Sequence, residues 1–146
     1  MIRSIVLFLG VSWLCSGLLL AQGLDYYLPA GTNYDPRIPT PASILGFAVG
    51  EWHVTHDQQL RYMERLASVS PRVRIDTIGY TYERRPLVHL TITSPAQQGR
   101  LEAIRQAQMR LSDPEQPPLP AAAQDSMPAV VWMGYSIHGN EASGGN

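Results

Sequence analysis

The sequence contains no lysine, and its single cysteine, Cys15, lies close to the N-terminus. All 11 basic residues are therefore arginines, set against 12 acidic residues for a formal net charge of −1. The arginines form no basic run. Nucleic-acid binding needs clustered positive charge to displace counterions from phosphates, so that class has no electrostatic support. The missing lysine itself fits genomic base composition and carries no functional reading. No internal repeat is present.

What stands at the N-terminus explains the isolated cysteine. Met1-Ile2-Arg3 supplies one positive charge, and Ile5 to Leu20 is apolar apart from small residues and Ser12 and Ser16. Ala21-Gln22 follows as a cleavage junction, so residues 1–21 read as a secretory signal peptide. The apolar run is short for a span of about 20 residues. Ser12-Trp13-Leu14 is also a poor context for lipid attachment at Cys15. The protein is expected to be exported, periplasmic or extracellular, with no stable membrane anchor after cleavage. Without the signal it has no cysteine, so an exported domain must rely on its core or on a metal.

Residues 22–54 are expected to be an extended lead-in draped over a domain at 55–146. Tyr34-Asp35-Pro36-Arg37-Ile38-Pro39 shows no apolar period, and Tyr26, Tyr27 and Tyr34 read as packing anchors. Thr55 followed by Gln58 is a capping-box pattern. Leu60, Met63, Leu66 and Ala67 then recur at helical spacing until Pro71 stops the run. His53 and His56, three apart at the helix start, read as a solvated helix entry rather than a metal pair. Val73 to Ile78 and Leu87 to Thr93 read as strands, with Val88, Leu90 and Ile92 on one face and His89 a partly exposed structural histidine. Gly79 to Pro86 between them reads as a hairpin loop. A second helix is expected over Gln97 to Leu111, then a Pro- and Ala-rich connector from Asp113 to Pro128.

Ala129-Val130-Val131-Trp132-Met133 is continuously apolar, which suits an inner strand buried on both faces. It runs through Gly134-Tyr135-Ser136-Ile137 into His138-Gly139-Asn140-Glu141. Ligands of open α/β sheets gather beyond the carboxyl ends of strands. His138 and Glu141, three apart with Ala142-Ser143 able to begin a helix, can converge on one ion. Imidazole nitrogen binds zinc at about 2.0–2.1 Å and carboxylate oxygen at about 2.0–2.2 Å. Gly139 leaves room for close backbone approach. Alone, a four-residue pattern with two fixed positions often arises by chance, and His138 capping a turn is the bland alternative.

The hairpin Gly79-Tyr80-Thr81-Tyr82-Glu83-Arg84-Arg85-Pro86, the strand Pro128-Ala129-Val130-Val131-Trp132 and His138-Gly139-Asn140-Glu141 occur in that order. Together they resemble the zinc carboxypeptidase (carboxypeptidase A-like) family over about residues 50 to 146, closest to its exported bacterial branch. The resemblance implies an α/β fold, the N-terminal part of a mixed-sheet α/β/α domain, left incomplete in this chain. It implies zinc as cofactor, peptides or proteins as substrates, and metal-assisted hydrolysis of C-terminal peptide bonds. His138 and Glu141 match the first two zinc ligands. Arg84 stands where the family often has glycine, and a left-handed backbone there is costly for arginine. Asn140 stands where digestive members have a substrate-contacting arginine, so that contact is expected to differ. The third ligand, the carboxylate-gripping arginine and the general-base glutamate have no counterpart here and are expected beyond Asn146. This chain alone is thus expected to bind zinc weakly and not to turn over. An aspartoacylase-like zinc deacylase, which also uses a His-Gly-x-Glu pair, is the enzymatic alternative. A non-catalytic exported domain that keeps the fold is the other.

Overall fold

In the computed structural model, residues 26–135, 137 and 138 are described, and residues 1–21, the expected signal peptide, lie outside them. Two compact units divide the chain after Tyr34. In the first, Tyr26 and Tyr27 meet edge to face with ring centroids 5.1 Å apart. Tyr26, Tyr27 and Tyr34 are exposed, which corrects their reading as packing anchors. Each keeps more than half its surface in water, so none is held by burial.

The second unit begins with a turn. Asp35 accepts the backbone N–H of Arg37 on its side chain while the Ile38 N–H reaches the Asp35 carbonyl at 3.0 Å. Pro36 presets the backbone between them. The lead-in then holds a helix that its composition did not announce, α1 (Pro41–Leu45). Thr40 caps it, Pro41 needs no N–H in the first turn, and Gly46 ends it with φ 87°. Two side chains of the next helix reach back to this segment: the Tyr62 hydroxyl donates to Pro39 O at 3.2 Å and Arg61 Nη2 to Ile44 O at 3.2 Å.

That helix is α2 (His56–Val69). Thr55 and Gln58 form the capping box reciprocally, with Gln58 N–H on Thr55 Oγ1 and Thr55 N–H on Gln58 Oε1. Leu60, Met63, Leu66 and Ala67 are half-buried on one face while Arg61, Glu64, Arg65 and Ser68 are exposed. The helix stops at Ser70, which is 7% exposed and the one buried polar residue among those described. Its N–H returns to Leu66 O, and its own carbonyl and hydroxyl receive the N–H groups of Val73 and Arg72. Pro71 blocks a further helical turn.

The chain leaves this turn as β1 (Val73–Tyr80) and returns antiparallel as β2 (Pro86–Ile92). Both strands run further toward the turn than their apolar pattern suggests. A bulge between Thr77 and Gly79 absorbs Ile78, so the ladder continues through Gly79 and Tyr80. Pro86 fits because a proline is tolerated as the first residue of a strand. The pairs Val73–Ile92, Ile75–Leu90 and Thr77–Val88 alternate with Arg74–Thr91 and Asp76–His89. The first set makes the apolar face and the second the polar one. On the polar face Arg74 Nη2 lies 2.8 Å from Asp76 Oδ1, and His89 Nε2 lies 3.9 Å from Asp76 Oδ2 across the strands. His89 is a partly exposed member of this cross-strand group, as its alternation with the apolar residues implied.

The loop shrinks to Tyr82-Glu83-Arg84 between Thr81 and Arg85. Arg84 N–H closes a turn on Thr81 O at 3.0 Å, and Thr81 N–H pairs with Arg85 O at 2.9 Å. A three-residue hairpin of this kind places its last loop residue in the left-handed region. Arg84 occupies it at φ 61°, the one non-glycine with positive φ among the described residues. The strain foreseen at Arg84 is therefore present.

The expected helix at Gln97–Leu111 is two helices, α3 (Pro95–Gln98) and α4 (Leu101–Ser112). Gly99, a poor helix former, separates them. The Gln98 side chain donates to Arg72 O at 2.9 Å and Thr91 O at 3.2 Å. In α4, Glu102 receives Arg105 and Gln106 one turn on. The connector is not wholly irregular, since α5 (Ala121–Asp125) forms within it.

α2 packs on β1 and on α1. Among the described residues no hydrophobic side chain is fully buried. Each half-buried residue of the seam contributes roughly 1 kcal/mol, about half the value of full burial. No described helix is long and apolar enough to cross a membrane.

Two outcomes follow from local geometry. Hydrogen bonds from the Arg105 side chain, then from Gln106, hold the Glu102 carboxyl at about 2 against an ordinary 4.5. A depressed carboxylate stabilises the folded form above its unfolded value and loses that contribution as pH falls through the folded one. The first turn of α4 thus loosens as pH falls from about 4.5 to about 2. Carboxyl-carbon NMR titration of Glu102 should show its midpoint near 2, and Glu102→Gln should abolish the pH dependence of that turn. At the hairpin tip, Arg84→Gly removes a cost of roughly 1–2 kcal/mol and adds roughly 0.5–1 kcal/mol of chain entropy. Exchange of the Thr81 amide should slow by about threefold; Arg84→Ala, equally strained, should leave it unchanged.

Candidate metal centre

The segment leading to His138 is tied to α4 at its start, where Gln108 Nε2 donates to Pro128 O at 3.4 Å. Beyond that point the apolar run does not form the buried strand its composition suggests. Residues 129–135 carry no regular element and are exposed throughout. Trp132 is 80% exposed and Val131 78%. The reason is geometric. A strand buried on both faces needs partners for its N–H and C=O groups on each side. Among the described residues the sheet is the β1–β2 pair alone, and its strands bond to each other. The run is therefore an uncovered apolar strip.

Tyr135 marks where this segment meets the domain again. With Leu45 of α1, Tyr62, Met63 and Leu66 of α2, and Leu90 of β2, it lines a hollow of about 380 Å³. His138 follows, exposed to solvent. Gly139, Asn140, Glu141 and Ala142-Ser143 lie outside the described residues, and so does the geometry between His138 and Glu141.

The donor chemistry of the pair fits zinc. An exposed imidazole can present a nitrogen lone pair, and a glutamate three positions on supplies an anionic oxygen. Among the described residues no group of three or more His, Cys, Asp and Glu side chains is placed to hold a metal.

His53 is exposed. His56 is more than a solvated helix entry, because its Nε2 lies 3.0 Å from Pro86 O. A carbonyl only accepts, so Nε2 carries the proton. Nδ1 is buried without a hydrogen-bond partner, 3.6 Å from Asp57 Oδ1. His56 thus joins the start of α2 to the start of β2 across 30 residues, a contact with no local signal in the sequence.

A family model described as zinc carboxypeptidase matches residues 59–146, from the first turn of α2 to the end of the sequence. This is more than half of the chain, and the chain belongs to the zinc carboxypeptidase family. The family implies zinc as the metal and peptides or proteins as substrates. No curated protein and no solved structure matches the chain. The described helices and two-stranded antiparallel sheet form a mixed α/β unit, in keeping with the α/β fold that the motifs implied.

His56→Ala leaves Pro86 O without its donor at a cost of about 1 kcal/mol. Amide exchange in the first residues of β2 should accelerate by about fivefold, while the Glu102 titration in α4 stays where it is. Equal exchange rates in the two proteins would remove His56 as a tie.

Proposed function

We propose that the protein is an exported zinc-dependent metallocarboxypeptidase in which His138 and Glu141 are the first two metal ligands. The family match carries this reading, because it spans both residues and the hairpin upstream of them. Neutral His138 would bind through one ring nitrogen, leaving the other to fix ring orientation. The Glu141 carboxylate would offset part of the ion's charge. When bound, zinc polarises a scissile carbonyl and lowers the pKa of bound water. A further histidine ligand and a glutamate general base complete the set in the active protein, and with them it releases C-terminal residues from peptides. Asn140 carries no charge, so any substrate contact there is a neutral hydrogen bond.

The 146-residue chain should bind zinc weakly and show no turnover on its own. Titration calorimetry should give one ion per chain, with His138→Ala and Glu141→Gln each abolishing measurable binding. Binding unchanged in both variants would sink the ligand assignment. In the complete enzyme, release of C-terminal amino acids should stop when a chelator is added. Activity that survives chelation would refute the metal role.

A further inference from the structure

Tyr135 lies three residues before His138, a chain distance of at most about 11 Å. The stretch from Ala129 to Met133 has no ladder bonds to hold it, and its large side chains face water. Tyr135 differs from them in lining a hollow to which both α2 and β2 contribute. It shares the 380 Å³ hollow with Tyr62, Met63 and Leu66 from the helix and with Leu90 from the hairpin. It sits at the rim, 62% exposed, so much of the hollow remains open beside it. The hydroxyl points along its own segment to Met133 Sδ at 3.7 Å, and the hollow wall is mostly apolar. What the hollow offers the Tyr135 ring is thus an apolar wall.

We propose that Tyr135 is a positioning residue: its ring, docked on the α2–β2 hollow, fixes the segment that presents His138 to the metal. This rests on the ligand assignment above. An anchor three residues from a ligand restricts where that ligand can lie before the ion arrives. The entropy of ordering His138 is then lost on folding rather than on binding. Supporting residues behind metal ligands commonly change affinity by 10- to 100-fold.

The test uses the whole 146-residue chain with zinc chloride as the probe. Zinc affinity is followed through the His138 imidazole resonances, and Tyr135 ring contacts through NOEs in metal-free protein. Tyr135→Phe keeps the ring and should bind within about twofold of the parent. Tyr135→Ala should bind about tenfold more weakly, and Leu90→Ala, which widens the hollow from the other side, should weaken binding in the same direction. The double variant should lose little beyond Tyr135→Ala alone, because both changes break one contact. If Tyr135→Ala binds as tightly as the parent while His138→Ala abolishes binding, the anchor is overturned and the ligand assignment stands. If zinc leaves the His138 resonances unmoved, the ligand assignment fails and the positioning role fails with it. NOEs from the Tyr135 ring to Leu90 and Met63 should be seen without metal, and their absence overturns the anchor whatever zinc does.

Discussion

The seam between one face of α2 and one face of the β1–β2 hairpin holds the other contacts in place. It is built from side chains that each keep part of their surface in water. Hydrophobic stabilisation scales with the apolar area removed from water, so a half-covered seam is a weak one. Directional contacts at its margins therefore carry unusual weight. The capping box starts α2 at a fixed residue, Ser70 ends it, and His56 joins its first turn to Pro86. These polar ties set where the helix lies, and the apolar contacts follow.

The parts of this fold that were legible in the sequence are those written in neighbouring residues. The Thr55–Gln58 cap, the stop at Pro71, the alternation of Val88, Leu90 and Ile92, and the strain at Arg84 all depend on spacings of a few positions. The bulge at Ile78 was not legible, because a bulge depends on how a partner strand pairs. Gly99 could have signalled the break between α3 and α4, but the helical spacing of Leu101, Ile104 and Leu111 masked it. The largest miss is Ala129–Met133. Composition reports that such a stretch prefers burial, but only partners on both sides can provide it, and no such partner is found among the described residues.

The candidate site was legible in chemistry and not in geometry. His138 and Glu141 have residue types and a spacing that suit zinc, and the family match spans both positions. What sequence could not indicate is how the chain arrives at His138. The hollow under Tyr135 is assembled from α1, α2 and β2, whose lining residues lie 45 to 94 positions earlier in sequence. Leu90 of the hairpin and Tyr135 of the segment leading to His138 line that one hollow.

Gln98 changes how the hairpin behaves. A two-stranded ribbon has a turn at one end and loose strand termini at the other, and it ordinarily opens from the loose end. Here one amide group holds the carbonyls of Arg72 and Thr91, which flank the opening of β1 and the close of β2. Thr93 N–H joins the same Arg72 carbonyl at 3.0 Å. Both ends of the ribbon are thereby fastened, one by the Arg84 turn and one by a side chain from α3. Opening must then begin in the middle, near the Ile78 bulge, where the ladder is already interrupted.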